Sequence, residues 1–169
     1  MTNMRNGLIA ALAVLVLATA ATAQQLVTNS RDRERVAELA TKLENDPLSK
    51  RARGNRKKML QMLRSTPDLR VEPCRALLGE LLLSKEMGAR ELHAQLEIST
   101  AKFLAEHPEA TGDRARALEA GLEGVLRTYA SMRQTFPALD VEPMGPIVAA
   151  HERGDLGTYV REALADCDR

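Results

Sequence analysis

The chain has 169 residues, 24 Lys or Arg against 23 Asp or Glu, a net charge of +1, and only two Tyr, two Phe and no Trp. So few aromatic side chains weigh against a nucleic-acid interface, which stacks bases on aromatic platforms. The length is enough for one domain to bury a proper core.

Met1 to Ala23 reads as a secretory signal peptide, with Arg5 near the start, an uncharged apolar run from Leu8 to Ala20, and Ala21-Thr22-Ala23 as a small-residue cleavage site. The apolar run is shorter than the roughly 20 residues of a membrane span. No cysteine stands at the cleavage point, so a lipoprotein anchor is not expected. The reading is an exported chain, periplasmic or secreted, with residues 24–29 a flexible leader and 24–169 a single helical domain with no transmembrane span. Removing Arg5 leaves it formally neutral, yet Gln24 to Arg70 carries 12 basic and 6 acidic residues and the remainder 11 and 17.

Asn29 or Ser30 can cap a first helix to about Asn45, with Val36, Leu39, Ala40 and Leu43 at helical spacing. Asp46-Pro47 predicts a stop and restart, with a second helix from Pro47 to about Ser65. That helix contains KRARGNRKK, whose Lys50, Arg51, Arg53, Arg56, Lys57 and Lys58 form a candidate basic surface for an anionic envelope component. A charge run also serves simply as a solvated helix face.

Pro67 to Pro73 reads PDLRVEP and Pro137 to Pro143 reads PALDVEP, so five of seven positions coincide. A proline holds the residue before it in extended geometry, and the second proline of each copy is suited to a first helical position, so both segments predict stiff connectors that lead into helices. The pattern allows two helix-linker-helix halves. A third helix is expected from Pro73 to about Met87, with Leu77, Leu78, Leu81, Leu82 and Leu83 at the centre of the core and Gly88 as its terminator. A fourth should follow from Ala89 to about Glu106.

Thr111 or Asp113 can cap a fifth helix to about Thr135, in which Leu118, Leu122, Val125, Tyr129 and Met132 keep alternating spacings of four and three. A short helix from Pro143 to about Arg153 and a last one to about Asp166 complete an all-α fold, a compact bundle of six or seven helices centred on the third and fifth. The turn His151 to Leu156 resembles the helix-hairpin connectors of tetratricopeptide repeats over that one turn, without their 34-residue period.

Cys74 and Cys167 are the two cysteines of a chain read as exported, and such cysteines pair more often than not. A bridge would close a loop of about 94 residues and restrict the unfolded state by about 4 to 5 kcal/mol in the chain-entropy model. A reactive Cys74 at a helix N-terminus is the alternative. His93 and Glu97 lie four apart on one helix, with His107 and His151 elsewhere, and two ligands do not make a zinc site. Met59, Met62, Met87, Met132 and Met144 suit gap-filling in a core poor in aromatics better than copper binding. Glu72, Glu142, Glu152 and Asp155 are the carboxylates available for acid–base work, yet no catalytic or phosphate-binding motif accompanies them. No cofactor or metal is expected. The expected function is therefore non-catalytic, a module binding an unidentified protein or an anionic envelope component and not nucleic acid. A carrier of a metal or small apolar ligand, or an enzyme without a recognisable motif, are the alternatives.

Overall fold

The computed structural model describes residues 28–73 and 75–167. The predicted signal peptide and Cys74 lie outside the described residues.

Seven α-helices and no strand occur among the described residues. The first, α1 (Ser30–Asn45), is capped by Asn29, whose side chain accepts from the Asp32 N–H at 3.0 Å. It buries Val36, Ala40 and Leu43. The second, α2 (Ala52–Leu63), starts five residues later than Pro47 and ends before Ser65. Pro47 is buried and Leu48 packs into the core, so the chain must double back through a turn before the helix can begin.

The largest departure from the sequence reading is the third helix. Instead of a long central helix from Pro73, the structure has a four-residue α3 (Arg75–Leu78) followed by a 3₁₀ turn, Gly79–Leu82. Gly79 adopts φ +50°, a conformation that only glycine takes cheaply, and the helix breaks there. Leu77, Leu78 and Leu81 still reach the core, but Leu83 is 62% exposed. Gly88, at φ +88°, therefore precedes the next helix and does not terminate the leucine-rich one.

The centre of the molecule is the pair α4 (Ala89–Glu106) and α5 (Arg114–Thr135), not the third and fifth helices. Their crossing is close because small residues face each other. A Cβ on Gly121 would lie 2.2 Å from Thr100 Oγ1, and one on Gly124 would lie 2.1 Å from Ser99 Oγ. Asp113 caps α5 by accepting from the Arg116 N–H at 3.1 Å. After it come α6 (Gly145–Glu152) and α7 (Leu156–Cys167).

Two hydrophobic cores flank the crossing. One joins α1, α2 and the C-terminal half of α4 through Val36, Leu43, Met59, Leu63, Ile98 and Leu104. The other joins α3, α6 and α7 to the remainder of α4 and α5 through Leu77, Leu92, Leu122, Val125, Ile147 and Val160. Each PxLxVEP connector anchors itself to them with the same two positions. Leu69 and Leu139 are buried and donate their N–H to Thr66 O and Phe136 O, while Val71 is half-buried and Val141 buried. The helices they join differ: α2 and a four-residue α3 in one case, the 22-residue α5 and the eight-residue α6 in the other. The connectors match locally, but the units they join do not have the same shape.

Candidate functional site

The basic stretch is held rigidly from beneath. In α2 the buried residues are Ala52, Arg56, Met59 and Leu63, spaced four, three and four, which is one stripe of a helix. Leu60 and Met62 flank that stripe, half-buried against the same core, and the charged residues other than Arg56 face outward. Lys50, Arg51, Arg53, Lys57 and Lys58 are exposed, and none of them has an ion pair among the described residues. From Pro47 to Pro67 the chain has seven Lys or Arg and no Asp or Glu, so no carboxylate within α2 can neutralise the face.

Arg56 does not belong to that surface. It is buried, its Nη2 donates to Pro47 O at 2.9 Å, and its Nη1 lies 4.0 Å from Glu91 Oε1. Its Nε has no partner among the described residues. Burial holds its pKa below the ordinary value, against the opposing charge of Glu91. Its task is to clamp the turn that delivers α2, leaving the other five cations as the face.

Other charges of this half are spent internally. Asp68 accepts from Thr28 N–H at 2.9 Å and from Arg33 Nη2 at 2.6 Å, and Arg33 Nη1 donates to Leu104 O at 2.7 Å. Glu44 is buried beside the α4–α5 crossing, where it accepts from Ser99 Oγ at 2.8 Å, Arg127 Nε at 3.0 Å and Lys102 Nζ at 3.2 Å. Burial pushes its carboxyl up, and the bonds from Arg127 and Ser99, with the charges of Arg127 and Lys102, bring it below its ordinary value.

A second feature was not anticipated from the sequence. The break at Gly79 opens a hollow of about 690 Å³ among Leu78, Glu80, Leu83, Glu86, Glu142 and Tyr159, with Pro143 and Pro146 on one side. The Glu142 backbone N–H donates to Glu86 Oε2 at 3.1 Å, and Tyr159 Oη donates to Leu77 O at 3.0 Å. Three carboxylates line the hollow and no basic side chain does. Leu83 is on its wall, and Met87, 56% exposed, follows four residues later. The available signal was Gly79 inside a leucine run: a helix broken there cannot turn every leucine inward.

The remaining candidates disperse. His93 is half-buried, its pKa held down by burial with partial opposition from Glu97, and no group of three His, Cys, Asp or Glu among the described residues is placed to hold a metal. His107 stacks on Phe103 at 4.7 Å between ring centroids and meets Glu109 at 3.1 Å, while His151 is exposed at the end of α6. Met59, Met132 and Met144 are core residues, Met62 is half-buried and Met87 is exposed. Glu72 and Glu142 line different hollows, and Glu152 and Asp155 lie on the surface, where Asp155 accepts from Arg153. Cys167 ends α7 in a surface hollow shared with Pro73 and Arg75, the chain neighbours of Cys74. No helix among the described residues is long and apolar enough to cross a membrane.

Compared with known proteins, the chain matches no family model, no curated protein and no solved structure.

Proposed function

We propose that the chain is an exported, non-catalytic binding module that docks on an anionic envelope surface through the outer face of α2. The observation that carries this reading is the five exposed, unpaired cations, Lys50 and Arg51 in the turn before α2 and Arg53, Lys57 and Lys58 on it, in a stretch from Pro47 to Pro67 without an acidic residue. Cations near an anionic lipid surface contribute about 1 kcal/mol each at physiological salt. Three of them sit on a backbone of about 18 Å fixed by buried Ala52, Met59 and Leu63, so little backbone order remains to be gained on docking. Export is supported by the sequence of Met1 to Ala23. The Cys74–Cys167 bridge is supported by the position of Cys167 beside Pro73 and Arg75, and by the absence of a free cysteine among the described residues. Denaturing mass spectrometry with and without reductant checks both: a start at Gln24, and a mass that rises by two hydrogens on reduction.

The docking test is co-sedimentation with phosphatidylglycerol vesicles and with phosphatidylcholine vesicles. Binding is expected to the anionic vesicles alone and to weaken as salt rises. Lys57→Glu with Lys58→Glu removes two attractions of about 1 kcal/mol each and is expected to lower affinity by about 30-fold or more. Equal binding to both vesicle types, or indifference to the double reversal, would overturn the reading.

A further inference from the structure

The hollow beside Gly79 is the negative counterpart of α2. Its walls bring together Glu80, Glu86 and Glu142 with no basic side chain, and none of the three has an ion pair among the described residues. It also supplies apolar surface in Leu83, Pro143 and Pro146. On α2 Leu60, half-buried at the edge of the core, follows Lys57 by three residues, so its exposed remainder lies one turn along from that cation.

We propose that this hollow receives α2 of a second copy of the chain, so that copies associate head to tail. The occupant is chosen by charge. Contact of like patches about a two-fold axis would oppose five cations to five cations, or three carboxylates to three carboxylates. Contact of unlike patches pairs them, and the apolar rim excludes water where they meet. Joining two different patches leaves one of each free wherever a two-fold axis does not pair them reciprocally, and association then continues into rings or open chains. Because α2 is covered in such a contact, association and docking on anionic lipid compete for the same face. The inference shares the exposure of α2 with the function proposed above, but not its lipid binding.

Sedimentation equilibrium of the protein as purified from the cells that make it is the test. At about 20 mM salt the weight-average mass is expected to rise with protein concentration, and by about 0.3 M, where the Debye length falls to about 6 Å, to return to that of one chain. Glu80→Lys with Glu142→Lys is expected to abolish the association, as is Lys57→Glu with Lys58→Glu, and an equimolar mixture of the two variants is expected to form pairs that go no further, since each variant keeps one unaltered patch. All four side chains are exposed, and the backbone N–H of Glu142 that bonds Glu86 is untouched, so both variants keep the fold, which circular dichroism checks. The salt titration needs no variant at all. A constant single-chain mass at low salt, association unchanged in the Glu80/Glu142 variant, or a mixture that stays monomeric would each overturn the proposal. Vesicle binding separates the two ideas: the Glu80/Glu142 variant, whose α2 is no longer covered, is expected to bind phosphatidylglycerol vesicles at least as tightly as the unaltered protein does. If it loses association and keeps vesicle binding, both stand; if neither form binds vesicles but association is salt-sensitive, only the docking reading falls.

Discussion

Around α1, α2 and the C-terminal half of α4 the interior encloses charge, whereas around α3, α6 and α7 the buried side chains are almost wholly apolar. Glu44, Arg56 and Asp68, the buried charged residues among those described, all belong to the first region. Its apolar contribution is modest: α1 and α2 offer Val36, Ala40, Leu43, Ala52, Met59 and Leu63. Directional bonds such as Arg33 to Asp68 and to Leu104 O add to that apolar surface in fixing the register of α1 against its neighbours. The second region has Leu77, Leu78, Leu81, Leu92, Leu118 and Leu122, and its tie between α7 and α3, Tyr159 Oη to Leu77 O, is uncharged. One region is held by register-setting charges, the other by area.

The largest expected effect removes what both regions share. Gly124→Val places a branched side chain where even a Cβ would lie 2.1 Å from Ser99 Oγ and 2.2 Å from Ser99 Cβ. The crossing has to open, at a cost above about 3 kcal/mol, the top of the usual overpacking range. Urea denaturation should show both regions loosened together.

Next comes Leu122→Ala in the apolar region, expected to cost about 3 kcal/mol through lost burial and a residual cavity. That cost should be the same at pH 7 and pH 4. Glu44→Ala in the charged region is expected to cost about 2 kcal/mol, below the usual figure for a broken buried pair, because Arg127 is half-exposed and rehydrates. Its cost should depend on pH. The Glu44 pKa is lowered in the folded state from an ordinary 4.5, so its stabilisation is fully present above that value and is lost as pH falls through the lower folded one. Thermal melts of the unaltered protein and of Glu44→Ala should therefore converge in acid. Equal pH dependence of the Leu122 and Glu44 variants would show that charge does not distinguish the two regions.

The smallest effect is expected from Arg56→Met. The guanidinium contributes one bond, to Pro47 O, and a long contact to Glu91, while its Nε goes unpartnered at a cost. Substitution by an apolar chain of similar length should change stability by less than about 1 kcal/mol and leave vesicle binding unaltered, since Arg56 is not on the outer face.

Local signals were legible where they act within a few residues. Asn29 and Asp113 are caps because each follows the general rules for a helix start, and α5 keeps the periodicity that its apolar residues spell out, whereas α4 is enclosed more broadly, with Ile98 and Leu104 buried and Phe103 half-buried. The leucine-rich segment failed for a reason equally local in origin but not in outcome. Gly79 permits a break, and whether it is used depends on the fit of Leu77, Leu78 and Leu81 against α4 and α7. Of the six cations in the basic run, only the burial of Arg56 was hidden: position 56 falls on the same stripe as Ala52, Met59 and Leu63, but a charged residue there reads as solvated until Pro47 O is known to face it.

By itself the sequence determined most of the helices, the caps Asn29 and Asp113, the repeated connectors and the unequal distribution of charge, since these follow from backbone preferences and from composition over short spans. Only the tertiary structure decided which helices are central, which charges are enclosed and where the open hollow lies. Glycine and serine carry no hydrophobic signal, so nothing in a linear pattern announces that Gly121 and Gly124 will meet Ser99 and Thr100 and draw α4 and α5 together. Close approach is a property of two surfaces, and the second surface is not written beside the first.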